Sequence, residues 1–346
     1  MMKAVVKTDR KPESIEIREK EIPGTGKDEV LIRITKAGIC GTDYHIYKWD
    51  KWSEGRINPP VVLGHEFAGI VEHTGENVKN VRKGQRVSAE GHIVCGHCRP
   101  CLSGLAHICD NVRIIGVDRD GCFAEYLSMP AYNVWPLGDH ISDRHGAIMD
   151  PLGNAMHTVM AQPVENRKVL ITGAGSIGLF AVSIAKVMKA SRVVVSEPNR
   201  MKRELALRIG ADKAVDPMEA GAEQEILRTF DGEGPDVVLE MSGAKSAIRT
   251  GFNLIAKGGD LALLGIPAGE ISMDFNNHII FKGVTIRGIS GRRMFETWHQ
   301  CDDFLRHHAK DIDPVITHEM GLEDVTRGLE MMEKNLAVKV LLELKV

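Results

Sequence analysis

Lys168-Val-Leu-Ile-Thr-Gly-Ala-Gly-Ser-Ile-Gly178 reads as a short apolar strand that runs into a glycine turn and then opens a helix. The three glycines, Gly173, Gly175 and Gly178, have the G-x-G-x-x-G spacing. Such glycines allow a tight turn, close approach of a pyrophosphate, and packing of the helix on the strand. The free N–H groups and dipole of the helix N-terminus then favour the anion. The spacing alone is a weak signal, and its surroundings strengthen it. A second apolar stretch, 192–196, leads to Glu197, 24 residues after Gly173 and near where an acidic ligand for a ribose belongs. A carboxylate there accepts hydrogen bonds from both ribose hydroxyls and repels a 2′-phosphate. NAD is therefore expected over NADP, with Arg200 and Lys202 as the opposing charges.

Outward from this stretch, strand and helix patterns alternate. Strands are expected over 168–172, 192–196, 236–240 and 260–264, and apolar helical periods run through 177–188, 201–209 and 247–256. That alternation predicts an α/β domain with a doubly wound parallel sheet. Before Asp150 the texture differs: short strands at 3–6, 29–37, 69–73 and 86–88, punctuated by Gly, Pro and Asn. After about Gly291 come helical stretches at 295–307 and 322–334 and a last strand at 337–344. At 346 residues the chain is long for one core. The expected division is 1–152 with 295–346 as one domain, and 153–294 as the nucleotide-binding domain.

The balance of 43% hydrophobic and 26% charged residues is that of a soluble globular protein, and a net charge of −3 offers no basic field for nucleic acid. The longest uncharged stretch, 169–185, is interrupted by glycines and falls short of the roughly 20 apolar residues of a membrane span. The first 21 residues are rich in charge and lack an apolar signal region, so a cytoplasmic protein is expected.

Four of the seven cysteines, Cys95, Cys98, Cys101 and Cys109, lie within fifteen residues. Soft thiolates at Cys-x-x-Cys spacing suit tetrahedral zinc, and four protein ligands leave no place for water, so a structural zinc is predicted. An iron–sulfur cluster or a set of free thiols is the competing reading. Elsewhere Cys40, His65 with Glu66, and Asp150 each sit beside glycines at turns or strand ends. One Cys, one His and one carboxylate would leave a zinc position open for water or substrate, as a catalytic site requires. Singly, each has a bland alternative, since a lone Cys is more often core and a lone His more often a satisfied polar group.

Gly64-His65-Glu66, then the cysteine knuckle, then the glycine fingerprint resemble, in the same order over essentially the whole chain, the zinc-containing medium-chain alcohol dehydrogenase family. Four further stretches are most similar to the branch of that family acting on L-threonine: Cys40-Gly-Thr-Asp-Tyr-His45, Glu90–Cys98, Asp150–Thr158 and Gly291–Trp298. Arg293 departs from that branch, which often carries an acidic residue there.

The resemblance implies a β-rich GroES-like catalytic domain beside a Rossmann domain, and two zinc ions per chain. It implies Cys40 and His65 as ligands of the catalytic zinc, with Glu66 and Asp150 as ligands or close neighbours; which carboxylate binds stays open. Thr42 and His45 become the active-site pair that moves the proton, although Thr42 would also serve as a helix N-cap. Ile177, Lys202, Leu264, Gly265, Ile266, Ile289 and Ser290 are expected to touch NAD. His92 and Arg292 are candidates for the charged groups of the substrate. The implied reaction oxidises the 3-hydroxyl of threonine to 2-amino-3-oxobutanoate in a homotetramer. A polyol or 2,3-butanediol dehydrogenase is the alternative on the same scaffold. A non-catalytic zinc- and NAD-binding regulator would instead be expected to lose a ligand or the Thr42–His45 pair.

Overall fold

The computed structural model describes residues 1–345 as two compact units. Of the described residues, one comprises Met1–Asp150, Arg293–Ala309 and 316–345; the other comprises Pro151–Arg292 and Lys310–Val315. The sequence pattern alone places all of 295–346 in the first, but the turn at Asp313–Val315 packs against helices Ser176–Val187 and Arg200–Ile209 of the second.

In the second unit six strands form one parallel sheet: Lys168–Thr172, Arg192–Ser196, Lys213–Val215, Val237–Glu240, Asp260–Leu263 and Thr285–Gly288. Counted along the chain from 1 to 6, their order in the sheet is 3-2-1-4-5-6. This is the doubly wound arrangement, in which ligands bind past the carboxyl ends of the strands where the order reverses. Leu170, Val194, Val238 and Leu261 from the central strands are buried with Phe230 and Phe252. Near-continuous apolar strands of this kind are what a sheet covered on both faces demands. The short strand Lys213–Val215 and the helix Ala222–Thr229 are additional to the elements the sequence pattern predicts.

The first unit is built around the long strand Glu29–Ile39, which pairs antiparallel with Glu66–Thr74, with Tyr126–Pro130 and with the C-terminal strand Lys339–Glu343. Alternation along it buries Val30, Ile32 and Ile34 against Val71, Val87 and Leu127. Near the end of this strand, Gly38 lies opposite Glu66 on one side and opposite Leu341 on the other. That register brings together the ends of three strands remote in sequence. Among the described residues no helix is long and apolar enough to cross a membrane.

Candidate active site

The strand Glu29–Ile39 ends at Cys40, which caps the helix Gly41–Lys48. The cap is a reciprocal one: the Cys40 N–H donates to Asp43 Oδ2 at 2.9 Å. Cys40, not Thr42, is therefore the N-cap. Asp43 is fully buried; its other oxygen accepts the Gly64 N–H at 3.2 Å and lies 3.9 Å from His65 Nδ1. Sequence reasoning passed over Asp43, although an acid three residues after a cap position is the capping-box signal.

Cys40, His65 and Glu66 each present a ligand atom, and these atoms all lie within 4.8 Å of one another. His65 Nδ1 is buried and has no hydrogen-bond partner among the described residues. Burial by itself would lower the pKa of this imidazole. The negative charge gathered by Cys40, Asp43 and Asp150 outweighs that, and it is pushed up to about 10. A buried pocket that so favours positive charge, with a soft sulfur, an imidazole and a carboxylate converging, fits a zinc ion. Asp150, at the start of the helix Met149–Met160, is buried and adds to the negative field, but its carboxylate is not among the three tightly grouped donors.

Glu66 is engaged on its other side. The Nζ of Lys339 donates to both carboxylate oxygens, at 3.0 and 2.8 Å. Gly38 leaves the room this needs, since a Cβ there would stand 2.2 Å from Glu66 Oε2. Lys339 carried no sequence signal, because it reads as one of two charges, with Glu343, in an otherwise apolar last strand.

Thr42 and His45 lie three residues apart on the helix that Cys40 caps, and so share a face. The Thr42 hydroxyl is 3.8 Å from Cys40 Sγ. His45 is more than half exposed, and its Nδ1 lies 2.7 Å from Asp50 Oδ2. The second oxygen of Asp50 accepts the Ser53 N–H and caps the next helix, Lys51–Arg56, which fixes the carboxylate in place. Nearby, Gly91 lies beside His65, where an added Cβ would be in ordinary contact with the His65 carbonyl at 3.5 Å. The next residue, His92, has Nδ1 2.7 Å from Oε1 of the fully buried Glu90, whose other oxygen accepts the Trp298 indole N–H at 2.9 Å.

The cysteine knuckle is a separate centre in the same unit. Cys95, Cys98, Cys101 and Cys109 bring their sulfurs within 4.8 Å of one another, with neighbouring pairs at 3.4–3.7 Å. Backbone N–H groups of Cys95 and Asn111 point at Cys109 Sγ, and those of His97 and Cys98 lower the pKa of the Cys95 thiol. A closed set of four thiolates stabilised by peptide dipoles fits a structural zinc.

In the second unit the glycine fingerprint adopts the geometry its spacing predicts. Gly173 has φ +92°, a Cβ on Gly178 would stand 2.1 Å from the Gly173 carbonyl, and Gly175 opens the helix Ser176–Val187 with nothing within 4 Å of its missing side chain. That open space leaves the helix N-terminus accessible to an anion. Glu197 follows the second strand, and its carboxylate accepts the N–H groups of Ala174 and Asn199 at 2.7 and 2.9 Å, which ties it to the glycine turn. Ile177 and Lys202 are half-buried on the two helices beside it. Leu264 and Gly265 follow the fifth strand, and their N–H groups donate to the Glu240 carbonyl; Ile266 is almost fully exposed. Ile289 and Ser290 follow the sixth. Glu240, also missed in the sequence, is fully buried, and its carboxylate accepts the N–H groups of Ser242 and Gly243. Arg292 is buried against Gly153 and Asn154 in this unit.

Residues 26–139 match the alcohol dehydrogenase GroES-like domain family, and residues 176–307 match the zinc-binding dehydrogenase family. The chain is 46% identical to an L-threonine 3-dehydrogenase of Caldanaerobacter subterraneus over 343 residues, 99% of both chains. It is 44% identical to one from Pyrococcus furiosus over 346 residues, again 99% of both. Among solved structures, one from Sinorhizobium meliloti described as a zinc-binding dehydrogenase bound to NADP superposes with a TM-score of 0.90 at 31% identity, covering 99% of each chain.

Proposed function

The chain belongs to the zinc-containing medium-chain alcohol dehydrogenase family, and we propose that it oxidises the 3-hydroxyl of L-threonine to 2-amino-3-oxobutanoate with NAD. The observation that carries the chemistry is the convergence of Cys40, His65 and Glu66 with Thr42 and His45 on the adjoining helix. The full-length likeness to threonine dehydrogenases supports the substrate. Cys40 and His65 would hold zinc, with Glu66 and Asp150 at hand, and the four-cysteine knuckle a second ion. Bound zinc would supply the Lewis acidity that lowers the pKa of the substrate hydroxyl, and bound NAD the acceptor for the hydride leaving C3.

The chain's own residues move the proton. Thr42 takes it from the substrate hydroxyl and passes its own to His45, one helical turn on. With Nδ1–H given to Asp50, the imidazole of His45 presents Nε2 as the base, and its exposure lets it release the proton to water. His92, oriented by the buried Glu90 carboxylate, is placed to recognise a charged group of the amino acid. On the nucleotide, Glu197 would bind the ribose hydroxyls and the glycine turn the pyrophosphate. Ile177, Lys202, Leu264, Gly265, Ile266, Ile289 and Ser290 would line the rest.

A homotetramer is part of the same proposal. The sixth strand, Thr285–Gly288, is an edge strand exposed along its whole length, near exposed Phe275, Ile280 and Phe281. Unpaired edges flanked by apolar side chains suit pairing with a second copy. Seven cysteines without a disulfide, five of them among the proposed zinc ligands, suit a reducing compartment such as the cytoplasm. NADH formation on L-threonine, measured beside sorbitol, 2,3-butanediol and L-serine, tests the substrate. Turnover of the diols or sorbitol alone would sink the threonine assignment, and light scattering of the same sample tests the assembly.

A further inference from the structure

Lys339 opens the C-terminal strand and is 1% exposed, and Glu66, its partner, is fully buried. The ammonium carries three protons, and the structure gives it three acceptors: the two Glu66 oxygens and the Ile39 carbonyl at 2.9 Å. The charge and hydrogen-bonding capacity of the lysine are therefore spent on the inner edge of the Cys40–His65 centre. A pair buried this deeply is poor evidence for stability, since desolvation of both ions offsets most of their attraction and apolar side chains would pack the space as well. Its position suggests a different use. Glu66 has a ligand atom within reach of Cys40 and His65, yet the lysine engages both of its oxygens.

We propose that Lys339 is a positioning residue that holds the Glu66 carboxylate in reserve beside the metal, keeping a metal position open for the substrate. A metal at Cys40 and His65 must compete with a fixed cation for the same two oxygens. Charge-assisted hydrogen bonds are strong enough to tip that competition. Without the lysine charge, Glu66 would be an unpaired buried carboxylate and would turn to the metal. The inference rests on the Cys40–His65 centre being a metal site.

The test is zinc release to a colorimetric chelator from the holoenzyme, with Cys40→Ser protein identifying the phase that belongs to the knuckle. Lys339→Met should release zinc from the Cys40–His65 centre about ten- to a hundredfold more slowly than wild type. Adding Glu66→Gln to Lys339→Met should restore the wild-type rate. Lys339→Arg, which keeps the cation, should release zinc at the wild-type rate, and Lys339→Gln serves if Lys339→Met does not fold. Release from Lys339→Met as fast as wild type would overturn the proposal, as would slow release persisting in the double variant. So would release from the double variant tenfold faster than wild type, which would make Glu66 a standing ligand. A wild-type protein holding one zinc that survives Cys40→Ser would remove the metal-site reading itself, and the proposal with it. Two zincs with unaltered kinetics would remove the proposal alone.

Discussion

The two candidate metal centres of the first unit use related ligands in opposite settings. The knuckle is local: four sulfurs from one stretch of fifteen residues, near the surface, with backbone N–H groups on the thiols. The Cys40–His65 centre draws on strand ends far apart in the chain, is buried, and is surrounded by ionisable groups: Asp43, Glu66, Asp150 and Lys339. A closed sphere needs only ligands. An open one also needs its charge balanced by groups beyond the ligands, and one of these, Lys339, lies outside every motif read in the sequence.

The largest effects should separate the two centres. Cys40→Ser should lower kcat/KM about a thousandfold or more while leaving the fold standing. Cys101→Ser should instead lower Tm by roughly 10 °C. Zinc analysis should fall from two ions to one in each case. If Cys40→Ser melted the protein as Cys101→Ser does, the contrast between a working and a structural centre would be lost.

This contrast also explains what was legible in the sequence. The knuckle and the glycine fingerprint are contiguous, and their spacing carries their geometry, so both could be read directly. Cys40 and His65 were legible only as part of a family pattern. Lys339 and the Glu90–Trp298 bond were not legible, because strand register and long-range packing alone bring them to the site. In the second unit, the strand Lys213–Val215 and the helix Ala222–Thr229 were missed for a different reason: at three and eight residues both are shorter than the window over which a period is read.

Within the catalytic centre the relay can be graded. His45→Ala should cost about a hundredfold in kcat with zinc content unchanged, and added imidazole should restore part of it. Asp50→Asn should cost about tenfold or less, since the base remains and only its orientation is weakened. Equal losses would make Asp50 more than an orienting group. Glycine substitutions compare the centres again. Gly38→Ala drives a methyl into the Glu66–Lys339 pair and should destabilise by about 1–3 kcal/mol in a denaturant titration. Gly96→Ala in the knuckle meets no atom within 4 Å and should cost only the strain of its φ of +76°, about 1 kcal/mol.

The smallest effect tests why a buried charge needs a partner. Lys7 is as buried as Lys339, but it faces the Trp49 ring at 4.9 Å and donates to the Lys11 carbonyl, with no carboxylate bonded to it. Burial pushes its amine down from 10.5 to about 8, whereas burial of Lys339 is overcome by Glu66 and its amine is raised. Between pH 8 and 10.5 native Lys7 is already neutral while the unfolded chain still binds the proton. Stability from this group therefore rises with pH across that window. Lys7→Met should abolish that rise and stabilise the protein at pH 7 by about 1–3 kcal/mol, read as the difference between wild-type and variant denaturation curves at several pH values. A Lys7→Met protein less stable at pH 7 would mean that the ring and the carbonyl together do for Lys7 what Glu66 does for Lys339.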